Sequence, residues 1–310
     1  MANRFGLGEL IGAGPRAVGR YTGTLLAVFV VQTLVAVACM LAIGAVLAQA
    51  FAHVPLWDDA VDGDLFALVT CLRFAKASVL ACAGIVFAGV LLWQLASWFL
   101  VGGLCGVLAQ RPEGRAETAR CFGASGATTY LAYARLSLCA APGWVVVLFV
   151  FGTCARLAST RIEHALSVTE LLGPLAFTMV PALLVLHVLW TISDYARVEL
   201  TLRHASHEPS VVATYLRSIG YVVRQPVTLV HGALGWLGFA VLTLAYAYFA
   251  HGHPMFGAEG AVTLFVIRQG VALARAAIRF GVLAGQIELG RTRPLPPRRI
   301  EVKAEPNKAI

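Results

Sequence analysis

Charged side chains are scarce in this 310-residue chain, at 13% of all residues against about 25% in typical globular proteins. Lysine is nearly absent, with three residues beside 21 arginines, while hydrophobic residues make up 59%. A water-soluble domain needs more polar surface than this composition provides. Soluble enzymes, disordered tails and disulfide-stapled secreted domains are therefore excluded. The composition predicts an all-α, polytopic membrane protein.

Sequence signatures of chemistry are also lacking. The seven cysteines form no CxxC pair, although a bridge between Cys71 and Cys154, both expected near the outer surface, stays open. The histidine clusters at 204–207 and 251–253 have no third ligand at a recognised spacing. There is no P-loop, GxGxxG, GxSxG or HExxH motif. We expect no metal and no cofactor, and no catalytic residue can be named.

Long apolar runs are abundant instead. Six of them reach the roughly 20 residues that a helix needs to cross a bilayer core. The sequence therefore predicts six transmembrane helices, arranged as three hairpins in one membrane domain over residues 1–290. A basic, proline-rich segment at 291–310 is expected to form a flexible cytoplasmic tail. The predicted spans are 22–50, 77–104, 131–155, 171–193, 227–250 and 261–287.

Positive charge is distributed unevenly between the connecting segments. Sixteen lysines and arginines fall on one side of the predicted spans, and four fall on the other. The positive-inside rule then places both termini in the cytoplasm, and we expect the membrane to be the inner membrane of a bacterium. No soluble domain is available to gather this charge for nucleic-acid binding, which we exclude. Membrane lipids are the expected surroundings.

Basic and aromatic residues precede the first, third and fifth spans, at a spacing near 100 residues. Such segments suit helices that lie at the level of the lipid headgroups, with rings half-buried and charges toward phosphates. Either the chain contains a threefold repeat, or its inner loops are simply basic and aromatic. The segments are Arg16–Tyr21, Arg120–Arg135 and Tyr215–Arg224.

Arginines inside the apolar runs are the strongest anomaly. Arg268, Arg275 and Arg279 in span 6 are spaced by seven and four, so they fall within about 40° of one helical stripe. Arg275 lies near the expected bilayer midplane, where an arginine costs about 2.5–3.5 kcal/mol on the insertion scale. Arg135 in span 3 lies near the inner end and can snorkel.

Three interpretations of the stripe remain open. The arginines line a cationic cavity for an anionic small molecule or a lipid phosphate, or they pair with carboxylates and hold helices together. Alternatively, span 6 is an amphipathic helix on the inner surface. The candidate polar partners follow two prolines that are expected to kink the helix: His187 in span 4, and Asp194 and Arg197 just after it.

Glycines occur at four-residue spacing near the inner ends of spans 2 and 6, at Gly102/Gly106 and Gly281/Gly285. Such pairs favour close backbone approach between helices, here within the chain. Together with the Asp194–Arg197 stretch and the arginine-bearing last span, the segment 102–114 resembles uncharacterised bacterial membrane proteins. These in turn resemble the membrane domain attached to some glycerophosphodiester phosphodiesterases. The resemblance implies a fold and a membrane location, but no activity.

Two functional hypotheses follow. In the first, the protein is a non-enzymatic transport or envelope component that binds an anionic solute or lipid headgroup through Arg268, Arg275 and Arg279. In the second, it is an interaction subunit that docks a protein partner through its helices and basic tail, with the arginines as structural contacts.

Overall fold

The computed structural model describes residues 7–51, 54, 70–71, 75–164, 168–203, 210–252 and 257–294. Within those ranges the chain forms eight helices and no strand, which confirms the all-α prediction. The helices are α1 (Leu7–Arg20), α2 (Thr22–Phe51), α3 (Lys76–Gln110), α4 (Arg115–Glu163), α5 (Val168–Arg203), α6 (Val211–Arg224), α7 (Val227–Gly252) and α8 (Gly257–Thr292).

Six of these helices are long and apolar enough to cross a membrane, as predicted. They are α2, α3, α4, α5, α7 and α8, and each contains one of the six predicted spans. The apolar segments of α5 and α8 begin one residue later than predicted, at Leu172 and Val262. Neighbours in sequence pack together, α2 against α3, α4 against α5, and α7 against α8. The hairpin topology and the sides of the termini stay predictions.

The basic-aromatic segments take two different forms. The first and last belong to short separate helices, α1 and α6, of 14 residues each. The middle one continues without a break into the next span, so that α4 is a single helix of 49 residues. At 1.5 Å per residue it is about 70 Å long, more than twice the bilayer core. The predicted threefold resemblance therefore does not extend to the local structure of this segment.

The buried core lies at one end of the bundle, which we call the basic end. It is formed by α1, α6, the start of α2, the last turns of α3, α5 and α8, and the first half of α4. Toward the opposite end, the helices expose large apolar side chains such as Leu41, Leu80 and Phe149, as expected where lipid replaces water. The protein-protein packing that holds the fold is therefore concentrated at the basic end.

Small residues allow the helices at the basic end to approach closely, as the glycine pairs predicted. A Cβ on Gly106 would lie 2.1 Å from the side chain of Ser125 on α4, and one on Gly281 would lie 3.2 Å from Cα of Gly14 on α1. Gly102 and Gly285 are equally closely packed. The glycines serve packing within the chain, because a larger residue would separate these helices.

Helix α6 docks on the basic end through one face, which carries Tyr215, Ser218, Tyr221 and Val222. The Tyr221 ring lies 5.3 Å from the Tyr195 ring, and its hydroxyl donates to the Arg293 carbonyl at 3.0 Å. These contacts join α6 to α5 and to the end of α8. Burial raises the pKa of Tyr221 to about 12.

We expect Tyr221→Phe to lose less folding stability than wild type as the pH rises above 10. The unfolded chain releases the tyrosine proton near pH 10, whereas the folded protein retains it to about pH 12. Folding stability contributed by this group is therefore complete below pH 10 and falls as the pH rises toward 12. The measurement is the unfolding midpoint as a function of pH in detergent. An equal alkaline slope in wild type and variant would contradict the assignment.

Two further expectations from the sequence concern a pair of cysteines and the basic tail. Cys71 is buried and Cys154 is half-buried, and both are free thiols. The tail at 291–310 lies outside the described residues from position 295 onward. The described part of it, residues 291–294, continues directly from α8, whose last turn reaches Thr292.

Candidate functional site

Asp194 of α5 is the most deeply buried carboxylate in the described part of the chain, with 1% of its side chain exposed. It lies among the apolar residues of the basic-end core, next to Tyr195 and Ala196. A carboxylate in such surroundings loses its hydration and stays charged only if charged or polar partners replace the water. The structure provides these partners.

Arg279 of α8 donates to Asp194 through both terminal nitrogens of its guanidinium, Nη1 at 2.7 Å and Nη2 at 2.6 Å. This two-point geometry is the strongest form of the arginine–carboxylate pair. Arg197, one turn further along α5, donates to the same carboxylate at 3.2 Å, and Gln286 of α8 donates at 3.3 Å. Asp194 is thus shared by α5 and α8, and its negative charge is matched by two arginines.

An aromatic ring completes the surroundings of Arg279. Its guanidinium carbon lies 5.3 Å from the centre of the Trp190 ring, within the range of a cation–π contact. Trp190 in turn packs edge to face against Trp236 of α7 at 5.7 Å. Arg279 of α8 therefore contacts α5 directly, and the Trp190 ring links this contact to α7.

A small cavity opens beside this pair, with a volume of about 50 Å³. A water molecule occupies about 30 Å³ of liquid, so the space is on the scale of one or two waters. Two buried polar atoms at its edge, Oε1 of Gln286 and Nδ1 of His187, make no hydrogen bond within the described chain. Water is therefore the occupant that the cavity's size and its buried polar atoms fit.

The remaining arginines of the stripe do not join this cluster. Arg275 is half-buried and donates to the Thr243 hydroxyl of α7, and its Nε is buried without a hydrogen-bond partner in the described chain. Arg268 is exposed, and so is Arg135 on α4. Among the described residues, Arg279 is the member of the set that pairs with a carboxylate.

The three candidate polar partners divide between the charge cluster and the small cavity. Asp194 and Arg197 belong to the charge cluster. His187 lines the small cavity, and its Nε2 lies 3.1 Å from the Leu229 carbonyl oxygen of α7. It contacts the backbone and not the carboxylate. The two prolines, Pro174 and Pro181, lie within α5, before the cluster.

The arginines of the stripe have different surroundings in the structure. Arg279 is a structural contact, as the pairing interpretation proposed. Its partner Asp194 directly follows the predicted span 4, and Arg279 lies about two turns before the end of the predicted span 6. Helix α8 packs against α1, α7 and α5. Arg275 and Arg268 remain the residues to which the anion-binding interpretation applies.

Residues that complete the site were not singled out from the sequence. Gly232 and Gly235 of α7 line the cavity, and a Cβ on Gly232 would lie 2.9 Å from the His187 ring. Trp236 supports Trp190 from the same helix. Nothing in their local sequence signals these roles, because glycine and tryptophan are both common in membrane helices. Gln286 had a signal, since it lies seven residues beyond Arg279 on the same stripe.

Comparisons with protein-family models, with curated proteins and with solved structures give no match for this chain. The resemblance to the membrane domain attached to some glycerophosphodiester phosphodiesterases therefore stays a prediction.

Proposed function

We propose that this chain is a non-enzymatic transport or envelope component of a bacterial inner membrane that binds an anionic solute or a lipid headgroup. The supporting features are a bundle of six membrane-length helices and arginines placed within them. An arginine at this depth must face protein, water or a counter-charge, because exposure to lipid tails costs several kcal/mol.

Arg275 is the observation that carries the proposal. It lies close to the middle of the apolar segment Val262–Thr292, and no carboxylate in the described chain pairs with it. Its described side-chain contact is to the neutral hydroxyl of Thr243. A guanidinium has five donor positions, so most of its hydrogen-bonding capacity is available to a ligand. An anion would neutralise this charge, as Asp194 does for Arg279.

The test is Arg275→Gln in the purified, detergent-solubilised protein. We expect the variant to fold like wild type, since no ion pair is lost, and to lose the stabilisation that phosphate-bearing ligands and anionic lipids give to wild type. A ligand at 100 times its dissociation constant adds about 2.7 kcal/mol of stability. Thermal unfolding with and without each ligand measures the effect.

Arg156→Gln is the matched control, because Arg156 is an exposed arginine of α4 outside the site. It makes the same change of charge and should keep the full response to ligand. Stabilisation that persists undiminished in Arg275→Gln would refute a binding role for this residue.

The interaction-subunit hypothesis is supported by a second feature of the same residue. Thr243, the hydrogen-bond partner of Arg275, is exposed on α7, so the guanidinium lies at the surface of the bundle. A carboxylate on a neighbouring membrane helix could reach it there. If wild type is unaffected by every anion, and Arg275→Gln shifts the oligomeric mass in detergent, this second function is favoured.

A further inference from the structure

A second, larger cavity lies at the basic end, far along α8 from Arg275. Its volume is about 440 Å³, and α1, α3 and α8 form its walls. Alanine, leucine and isoleucine side chains make up the apolar part of the lining. The polar part consists of six side chains: Glu9, Arg16, Arg20, Tyr21, Arg111 and Glu288.

Three guanidinium groups reach this cavity from two helices. Arg16 and Arg20 are four residues apart on α1 and therefore share one face of it. Arg111 follows the last residue of α3. The Nε of Arg16 donates a hydrogen bond to the Gly12 carbonyl at 2.9 Å, within the same helix. Arg20 donates to the Arg111 carbonyl at 3.4 Å, which brings the two arginines together.

The backbone of Arg111 is in the left-handed region, with φ 54° and ψ 51°. It is the one non-glycine residue with positive φ in the described chain. Glycine is the usual residue at such a helix end, because a side chain makes the conformation costly. Strained positions of this kind cluster at ligand sites. Here the strain places a guanidinium at the mouth of the cavity.

The carboxylates around the cavity do not neutralise it. Glu288 is shared between Arg111 and Arg291, whose Nη1 lies 3.7 Å away. The one carboxylate described as pairing with Arg20 is Glu113, at 3.7 Å, and 90% of the glutamate side chain is exposed. Such a pair is worth little in water. Glu9 is exposed in the first turn of α1.

We infer that the cavity between α1, α3 and α8 binds a phosphate-bearing group through Arg16, Arg20 and Arg111. The fork of an arginine matches two phosphate oxygens at once, and three arginines line this cavity. The volume suits a small polar headgroup. The two sources of this chemistry are the headgroup of an anionic phospholipid and a soluble phosphate compound.

The position of the cavity suits a ligand at the membrane surface. It lies at the end of the bundle that carries most of the positive charge, which we predict faces the anionic cytoplasmic leaflet. Glu9 can accept a hydrogen bond from a hydroxyl or ammonium group attached to the phosphate. The site does not depend on Arg275, which lies about four turns away along α8.

The experiment uses the full chain in nanodiscs of phosphatidylcholine, with and without phosphatidylglycerol, and with inorganic phosphate or pyrophosphate added. Arg16→Gln is the main variant, because its described side-chain bond lies within α1, so folding should be kept. Arg111→Gln is the second variant. Arg115→Gln is the control, since Arg115 is exposed at the same end but does not line the cavity.

We expect each cavity variant to weaken binding by about tenfold to a hundredfold, because one charge-assisted contact is lost. Arg115→Gln and Arg275→Gln should keep this binding. A response to phosphatidylglycerol alone identifies a lipid site, and saturable binding of phosphate or pyrophosphate in phosphatidylcholine identifies a soluble ligand. Equal affinity in Arg16→Gln and Arg115→Gln would overturn the inference, and so would an effect that chloride at the same ionic strength reproduces. A loss caused by Arg275→Gln alone would instead place the anion at membrane depth.

Discussion

Asp194→Asn is expected to lower the free energy of unfolding by about 3–5 kcal/mol, the cost of breaking a buried ion pair from one side. The substitution removes the negative charge while Arg279 and Arg197 remain in place. Both guanidiniums then lack the carboxylate that holds them at 2.6–3.2 Å. Reversible unfolding in mixed detergent micelles measures the loss. We expect the change to loosen α8 from α5 before other helices separate.

A double variant separates the charge effect from a packing effect. Asp194→Asn with Arg279→Gln removes both charges and should recover much of the stability lost in Asp194→Asn alone. Glu113→Gln serves as the surface control, because the carboxylate of Glu113 is exposed. Its effect should stay within about 0.5 kcal/mol. If Asp194→Asn costs no more than Glu113→Gln, the buried pair is not structural.

Gly106→Ala is expected to lower the free energy of unfolding by about 1–3 kcal/mol, the usual cost of overpacking a core. The added methyl group would lie 2.1 Å from the Ser125 side chain, so α3 and α4 must move apart. Gln110 also donates to the Ser125 hydroxyl, at 3.1 Å, and this bond would be strained by the same movement. Mixed-micelle unfolding gives the value.

Gly152→Ala is the matched control, since a Cβ on Gly152 of α4 meets nothing within 4 Å. Alanine is the better helix former, so this variant should be neutral or more stable by up to about 1 kcal/mol. A Gly106→Ala protein as stable as Gly152→Ala would show that the α3–α4 contact is looser than described.

Much of the fold could be predicted, because apolar run length reports directly on membrane-spanning helices. The six spans were found on this basis, and the glycine pairs near their inner ends marked where helices touch. The sequence predicts Asp194 and Arg197 as polar partners, because few charged residues are available in or beside the apolar runs to pair with the arginines. Each of these signals is local in sequence, so no tertiary information was needed.

Other features depend on packing that a single sequence does not contain. Helix α4 continues without a break through Arg120–Arg135 and packs against α3 and α5. Arg275 and Arg279 share one stripe, yet one contacts Thr243 on α7 and the other Asp194 on α5. Which helix faces each residue is a tertiary property. For the same reason the basic-end cavity, with walls from three distant segments, could not be predicted.

The arginines of this protein divide by environment into distinct groups. Arg279 and Arg197 are matched by a buried carboxylate and hold the basic end together. Arg275 and Arg268 lie in the membrane-length part of α8 with no described ion pair, and Arg16, Arg20 and Arg111 line an open cavity. Substitutions in the first group are expected to lower the folding stability, and substitutions in the other two groups are expected to weaken ligand binding. Net charge alone would treat all of them alike.

The most direct test of this division compares Arg279→Gln with Arg275→Gln in the absence of any added ligand. Both changes remove one positive charge from the same stripe of α8, four residues apart. We predict that Arg279→Gln unfolds at a clearly lower temperature, because it leaves Asp194 buried with weaker partners, while Arg275→Gln unfolds like wild type. Equal unfolding temperatures, or an earlier transition in Arg275→Gln, would contradict the account.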